Sequence, residues 1–202
     1  TERKQAEEHQ ELLVQELDHR VKNALAAILG VIEVTAESAG STESFVETVT
    51  SRVHAMAHVH EALAREHWDD IDVRDVVEGA ISGVAQVQGD VVSATGAAWG
   101  VSSSIAMPLG QALHELAVNA VKHGSLSGSD GRLDVGWEIE DDGALLLRWT
   151  ESGGSRVPQD SDPGVGLFLV TNLIEHGVGG TVSGESICMQ LCNDGCWKPF
   201  ES

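Results

Sequence analysis

Along the first third of the chain, apolar residues recur in steps of three and four: Leu13, Leu17, Val21, Ala24, Ile28 and Val31, with Thr35 closing the series. Between Glu2 and Ala39 there is no proline and no glycine except Gly30, so the spacing predicts one long helix with a single buried seam. The stretch "AGSTES" (39–44) then supplies Gly40 to end that helix and hydroxyls at Ser41 and Thr42 to start another. The second helix repeats the pattern at Val46, Val49, Val53, Met56, His60 and Leu63. Two antiparallel helices with stripes this narrow leave apolar surface uncovered. The hairpin is therefore expected to be half of a four-helix bundle, completed by a second copy as a homodimer.

After Trp68 the period changes. "DIDV" (70–73) and "VVSATGA" (91–97) predict short strands, and "RDVVEGAISGVAQ" (74–86) and "LGQALHELAVNAVKHG" (109–124) predict helices. "GRLDVGWEIEDDGALLLRWTES" (131–152) predicts a β-hairpin turning at Asp142-Gly143. A Gly/Ser/Pro-rich loop over 152–165 leads to a helix from Val165 to Glu175, and "GGTVSGES" (179–186) leads into one last strand. The predicted fold class is α+β. A helical hairpin over 1–67 is followed over 68–202 by an α/β sandwich with helices on one face of a mixed sheet.

Composition narrows the classes. With 202 residues and 42% hydrophobic content the chain can bury a sizeable core. Nothing approaches the roughly 18 to 20 uninterrupted apolar residues of a membrane span, and the charged start "TERKQAEEHQ" is unlike a signal peptide. The three cysteines, Cys188, Cys192 and Cys196, are crowded together rather than dispersed as in a disulfide-stapled fold, which fits a reducing, cytoplasmic setting. The net charge is −20, with 6 basic and 12 acidic residues in 1–67 against 6 and 20 in 68–202. Such a field disfavours nucleic acid and anionic membranes as partners. A nucleotide bound to the second half would need local backbone donors and a metal ion.

One histidine stands out against this background. On a helix His19, Lys22, Asn23, Ala26 and Gly30 share one face, away from the Leu17/Val21/Ala24/Ile28 seam. The imidazole is flanked first by polar groups and then by two very small residues, which allow another backbone or a phosphate to approach. "ELDHRVKNALA" (16–26) resembles the phosphoacceptor box of sensor histidine kinases, in the branch whose box reads His-Arg-Val-Lys-Asn. "HELAVNAVKHGSLS" (114–127) is similar to that branch's asparagine box, and "WTESGG" (149–154) to its Trp-x-Glu glycine box. The letters that name the branch, the HWE histidine kinases, fall on His114, Trp149 and Glu151. The resemblance runs from about residue 11 to 186.

That resemblance implies ATP and Mg²⁺ as cofactors and a GHKL-type ATP-binding domain. It implies that His19 is phosphorylated and then passes its phosphoryl group to an aspartate on a response-regulator receiver domain. Asn119 would offer its amide oxygen to Mg²⁺, and Glu115, one turn earlier, is the candidate acid/base or water-orienting group. Lys122 and His123 would meet phosphate oxygens. Glu151 would accept from the adenine amine, with Gly153 and Gly154 letting the backbone approach the nucleotide. "DPGVGLFLV" (162–170) resembles the second glycine box, with Gly164 and Gly166 at the start of a helix whose free N–H groups favour phosphate. Arg20 follows His19 where the larger families have an acid, so Glu16 and Asp18 are the alternatives for orienting the ring. Asn23 would position water or the partner's aspartate. "TERKQAEE" is similar to the exit from a PAS domain, which implies an upstream sensor.

Two rival readings share parts of this pattern. An anti-sigma-type serine kinase explains the second half but not the hairpin with His19. A silent pseudokinase or phosphatase scaffold that binds a receiver domain predicts loss of His19 or Asn119, and both are present. His54 and His58 have zinc-ligand spacing but lack a completing Glu or Cys, and the cysteine cluster falls where a closing strand meets the chain end. Neither is read as a site.

Overall fold

The computed structural model describes residues 18, 21–22, 24–36, 39–66, 68, 70–88, 91–153, 165–183 and 187–191, of which 83–88, 165 and 187–191 are described by backbone alone. The chain divides into two compact units, Thr1–Val53 and His54–Ser202.

In the first unit, helix α1 is continuous over 24–36, and helix α2 (Thr42–Arg65) begins here. The predicted start of α2 is present: the Ser41 hydroxyl oxygen accepts from the Ser44 N–H at 3.2 Å, satisfying one of the free donors of the first turn. Val31 and Thr35 are buried, and Ala24 and Ile28 half-buried, as the seam requires. Arg52 is buried too, its Nη1 donating to Thr35 Oγ1 at 2.6 Å, while the Thr35 hydroxyl donates to the Val31 carbonyl at 2.5 Å. Val21 departs from the expected seam, being 55% exposed together with Leu25 (55%) and Leu29 (59%). At about 100° per residue Val21 has already rotated from the Val31 direction toward Leu25. Helix α1 thus carries a second, outward apolar stripe at i, i+4, i+8. Leu13 and Leu17 lie outside the described residues.

The second half of α2 belongs to the second unit, which is why the compact unit starts at His54 rather than near His67. Val59, Ala62 and Leu63 join its hydrophobic core. His60, assigned to the seam by its spacing, is exposed instead and meets the Trp68 ring edge-on at 4.7 Å. Trp68 closes the helix with φ 67°, its N–H donating to the Leu63 carbonyl at 2.8 Å. A left-handed non-glycine residue costs roughly 1–2 kcal/mol, offset here by that bond and by packing against the core.

Beyond it come β1 (Ile71–Asp72), α3 (Val73–Gln88), β2 (Val92–Gly96), β3 (Gly100–Val101) and α4 (Ser103–Lys122). After a 3-10 turn at Ser125–Ser127 follow β4 (Arg132–Ile139), β5 (Leu145–Ser152), α5 (Val165–Asn172) with a π-helical turn at Leu173–Val178, β6 (Thr181–Ser183) and β7 (Ile187–Leu191). Strands pair in the order β2-β4-β5-β7-β6; β2 and β4 are parallel and the rest antiparallel, so the sheet is mixed, while β1 and β3 form a separate pair. The fold class is α+β, helices followed by a mixed sheet.

The period of two along β4 turns Leu133, Val135 and Trp137 into the core and Arg132, Asp134 and Glu138 to solvent. On β5 Leu145, Leu147 and Trp149 face the same way, opposite Ile139, Trp137 and Val135. Val76, Val77 and Ala80 of α3 and Leu109, Leu113 and Leu116 of α4 complete the core. The hairpin turns where expected: Gly143 has φ 85°, and the Glu140 N–H donates to the Ala144 carbonyl at 2.8 Å.

Three details differ from the sequence reading. Helix α4 starts at Ser103, six residues before Leu109, and carries Pro108 inside it. The end of the chain holds two strands where one was expected. Cys188, expected where a closing strand meets the chain end, lies within β7, between Arg148 of β5 and Ser183 of β6 in the pairing. Residues 192–202, including Cys192 and Cys196, lie outside the described residues.

Candidate active site

Helix α4 presents the asparagine-box residues one turn apart. Glu115 is buried, Asn119 half-buried, and Lys122 and His123 exposed. The helix ends because the Asn119 carbonyl accepts from both His123 N–H (2.8 Å) and Gly124 N–H (2.9 Å), which turns the chain sharply after the last helical residue.

The second glycine box meets this helix directly. A Cβ at Gly166, the second residue of α5, would stand 2.9 Å from Asn119 Nδ2 and 3.1 Å from Oδ1. Gly166 therefore lets the start of α5 come up against the Asn119 amide, and the free N–H groups of that helix's first turn lie in the same neighbourhood. An amide oxygen beside those donors suits a hydrated Mg²⁺ with its phosphates, which is the chemistry the motif implies.

The Trp-x-Glu segment is tied to the same region. Because side chains alternate along a strand, Glu151, which pairs with Leu133, shares the core-facing side of β5 with Trp149 two residues back. Trp149 Nε1–H donates to Glu151 Oε1 at 3.1 Å, and the Ser125 N–H donates to Oε2 at 2.8 Å. Trp149 itself is 2% exposed, whereas Glu151 is an exposed residue at the strand's end. Glycines allow this closeness: a Cβ at Gly124 would collide with Glu151 Oε2, and one at Gly131 with the Ser125 carbonyl. Gly153 has φ 71° and lies against the Asp130 carbonyl. The strand end and the loop after α4 are thereby laced together.

Of the residues singled out from sequence, Glu115, Asn119, Lys122, His123, Glu151, Gly153 and Gly166 belong to the second unit and lie on α4, α5 or β5, or, for His123 and Gly153, directly after α4 and β5. His19, Asn23, Gly154 and Gly164 lie outside the described residues. Asp18, one candidate for orienting the His19 ring, is exposed and pairs with Lys22 Nζ at 2.5 Å, one helical turn on. Sequence reasoning missed Ser125 and Gly124. No spacing signals them, because their role depends on how the loop after α4 folds over the end of β5.

Comparison with known proteins agrees with these motifs. Residues 16–98 match the family model for HWE histidine kinase. A blue-light-activated histidine kinase of Brucella anthropi is 29% identical over 177 residues, covering 86% of this chain and 36% of that protein. One from Rhizobium johnstonii is 30% identical over 172 residues, covering 85% and 48%. Alignments of that length take in α4 and β5 wherever they begin, and the chain spans less than half the length of these relatives. The solved histidine kinase domain from the blue-light-activated histidine kinase of Erythrobacter litoralis superposes with a TM-score of 0.65 at 18% identity, covering 88% of this chain and 92% of that one, a likeness of fold. With its motifs, the matched segment and the shared fold in agreement, the chain is similar to the HWE histidine kinases, whose family model describes its residues 16–98.

Proposed function

We propose that this chain is the output module of a two-component sensor kinase, which uses ATP to phosphorylate His19 and passes the phosphoryl group to an aspartate on a response-regulator receiver domain. The observation that carries the reading is the convergence of three motif segments: Asn119 on α4, Gly166 at the start of α5 and Glu151 at the end of β5, the last held through the loop after α4.

In this reading an unprotonated ring nitrogen of His19 attacks the γ-phosphorus, the bond from phosphorus to the β–γ bridging oxygen breaks, and ADP leaves. Glu151 accepts from the adenine amine. Lys122, His123 and the free N–H groups at the start of α5 meet phosphate oxygens, with Gly164 and Gly166 giving them room. Gly153 and Gly154 bring the backbone close to the nucleotide. Asn119 would hold Mg²⁺, which supplies charge neutralisation to the phosphates when bound. Glu115 is the acid/base or water-orienting group, buried one turn from Asn119. Asn23, one turn beyond His19, positions water or the receiver's aspartate. The local donors matter because 68–202 carries 20 acidic residues against 6 basic.

The outward stripe of Val21, Leu25 and Leu29 on α1, with Val46 of α2 exposed as well, supports a homodimer through the hairpin. A functional division near residue 67, a PAS-type sensor upstream and a cytoplasmic location complete the proposal. Among the described residues no helix is long and apolar enough to cross a membrane. Radiolabelled ATP with Mg²⁺ tests the reading, followed by a chase with a receiver domain. Label should enter the kinase and then move to the receiver, but not to a receiver lacking its acceptor aspartate. A chain that binds ATP and stays unlabelled would favour the scaffold reading.

A further inference from the structure

Glu151 combines two properties that seldom coincide at a surface: the residue is exposed, yet each carboxylate oxygen already has a fixed donor. A surface acid that merely solvates a strand end needs neither donor. A carboxylate offers about four acceptor positions, so two remain for a ligand. The two donors come from different elements, a core indole on the same strand and a backbone amide just after α4, and they approach different oxygens. Gly124 leaves the space that Oε2 occupies. A flexible glutamate would have to be ordered when a ligand arrived, whereas this one is ordered beforehand, and such preorganisation raises affinity without adding a contact.

We propose that Trp149 is a positioning residue for base selection. Its indole N–H, together with the Ser125 amide, fixes the Glu151 carboxylate so that its remaining acceptor positions select a purine bearing an exocyclic 6-amino donor. The inference rests on the reading of Glu151 as the adenine acceptor. It adds that the Trp and Glu of the motif act as one unit, the first aiming the second. Removing the indole N–H leaves the ring's packing in place and frees Oε1. A hydrogen bond to a charged group is worth about tenfold in an equilibrium constant, so ATP affinity should fall by about that factor.

The experiment is calorimetric titration of the whole chain, with Mg²⁺, by ATP and by purine riboside triphosphate, which lacks the 6-amino group. Four proteins are compared: wild type, Glu151→Gln, Trp149→Phe, and a protein with Trp149 replaced by 3-benzothienylalanine, which keeps the bicyclic shape but carries sulfur in place of N–H. The last keeps the test sound if the phenylalanine variant unfolds, and a thermal melt checks each protein. Wild type should prefer ATP. Both Trp149 variants should lose most of that preference by weakening ATP alone, leaving the 6-unsubstituted nucleotide at its wild-type affinity. Retained preference in the benzothienyl protein, or equal weakening of both nucleotides, overturns the inference. If Glu151→Gln loses the preference while the Trp149 variants keep it, the positioning role fails and the adenine reading stands. Absence of any preference in wild type sinks both.

Discussion

Replacing Gly166 by alanine separates the site's geometry from the fold's stability. The new Cβ would stand 2.9 Å from Asn119 Nδ2, 3.1 Å from Oδ1 and 3.4 Å from Cγ. Comfortable contacts between such atoms lie near 3.5–4.0 Å, so relief requires the Asn119 amide to move by roughly half an ångström to an ångström. Within α5 alanine is the better helix former by up to about 1 kcal/mol, which opposes any small packing loss. The melting temperature is therefore expected to stay within roughly 2–4 °C of wild type. Autophosphorylation should nevertheless fall steeply, because misplacing a positioning group by about 1 Å can cost about 100-fold. Initial rates of label incorporation, measured beside a circular-dichroism melt on the same preparation, provide the test. A stable Gly166→Ala protein phosphorylating at the wild-type rate would refute the argument that this contact sets Asn119. A parallel collapse of stability and rate would mean that the glycine serves helix packing instead.

Three further outcomes follow from the packing. Gly153→Ala should destabilise by at least about 1–2 kcal/mol, since φ 71° and the nearby Asp130 carbonyl both oppose a Cβ; denaturant unfolding reads it. In Gly110→Ala the added carbon meets Val59 Cγ2 at 2.5 Å, an overpacking cost of about 1–3 kcal/mol that exceeds the gain of about 1 kcal/mol in helix propensity, so the melting temperature should drop. Leu25→Glu with Leu29→Glu should convert a dimer to a monomer in light scattering while leaving the melt of the sheet unit unchanged, because both residues are exposed within the first unit.

Much of this fold was legible because most elements obey their own period. The β4–β5 hairpin follows from alternation and from Asp142-Gly143, and α4 from its apolar spacing. Where tertiary context decides, local pattern misled. Val21 satisfies the seam's spacing, but a helix face has no sharp edge, and the residue falls on the outward stripe with Leu25 and Leu29. His60 sits at a seam position but finds an aromatic edge at Trp68 instead. The apolar spacing predicts α4 only from Leu109, yet the helix begins at Ser103 and carries Pro108 within it. The last strands were obscured by unusual residues: Cys188 stood out as one of three crowded cysteines, whereas the ladder pairs it with Arg148 and Ser183. Within the site, the motif letters marked Asn119 and Glu151. The tie from Ser125 to Glu151 depends on how the loop after α4 folds over the end of β5, which no one-dimensional spacing encodes.

In the proposed function His19 carries the phosphoryl group and the Asn119 site delivers it. The most direct measurement incubates the chain with Mg-ATP and locates the phosphate by tandem mass spectrometry under alkaline conditions, which preserve phosphohistidine. Wild type should carry phosphate on His19 alone, labile to acid and stable to alkali, and both His19→Gln and Asn119→Ala should carry none while remaining folded. Phosphate on a serine, on another histidine, or persisting on His19 in Asn119→Ala would contradict the account.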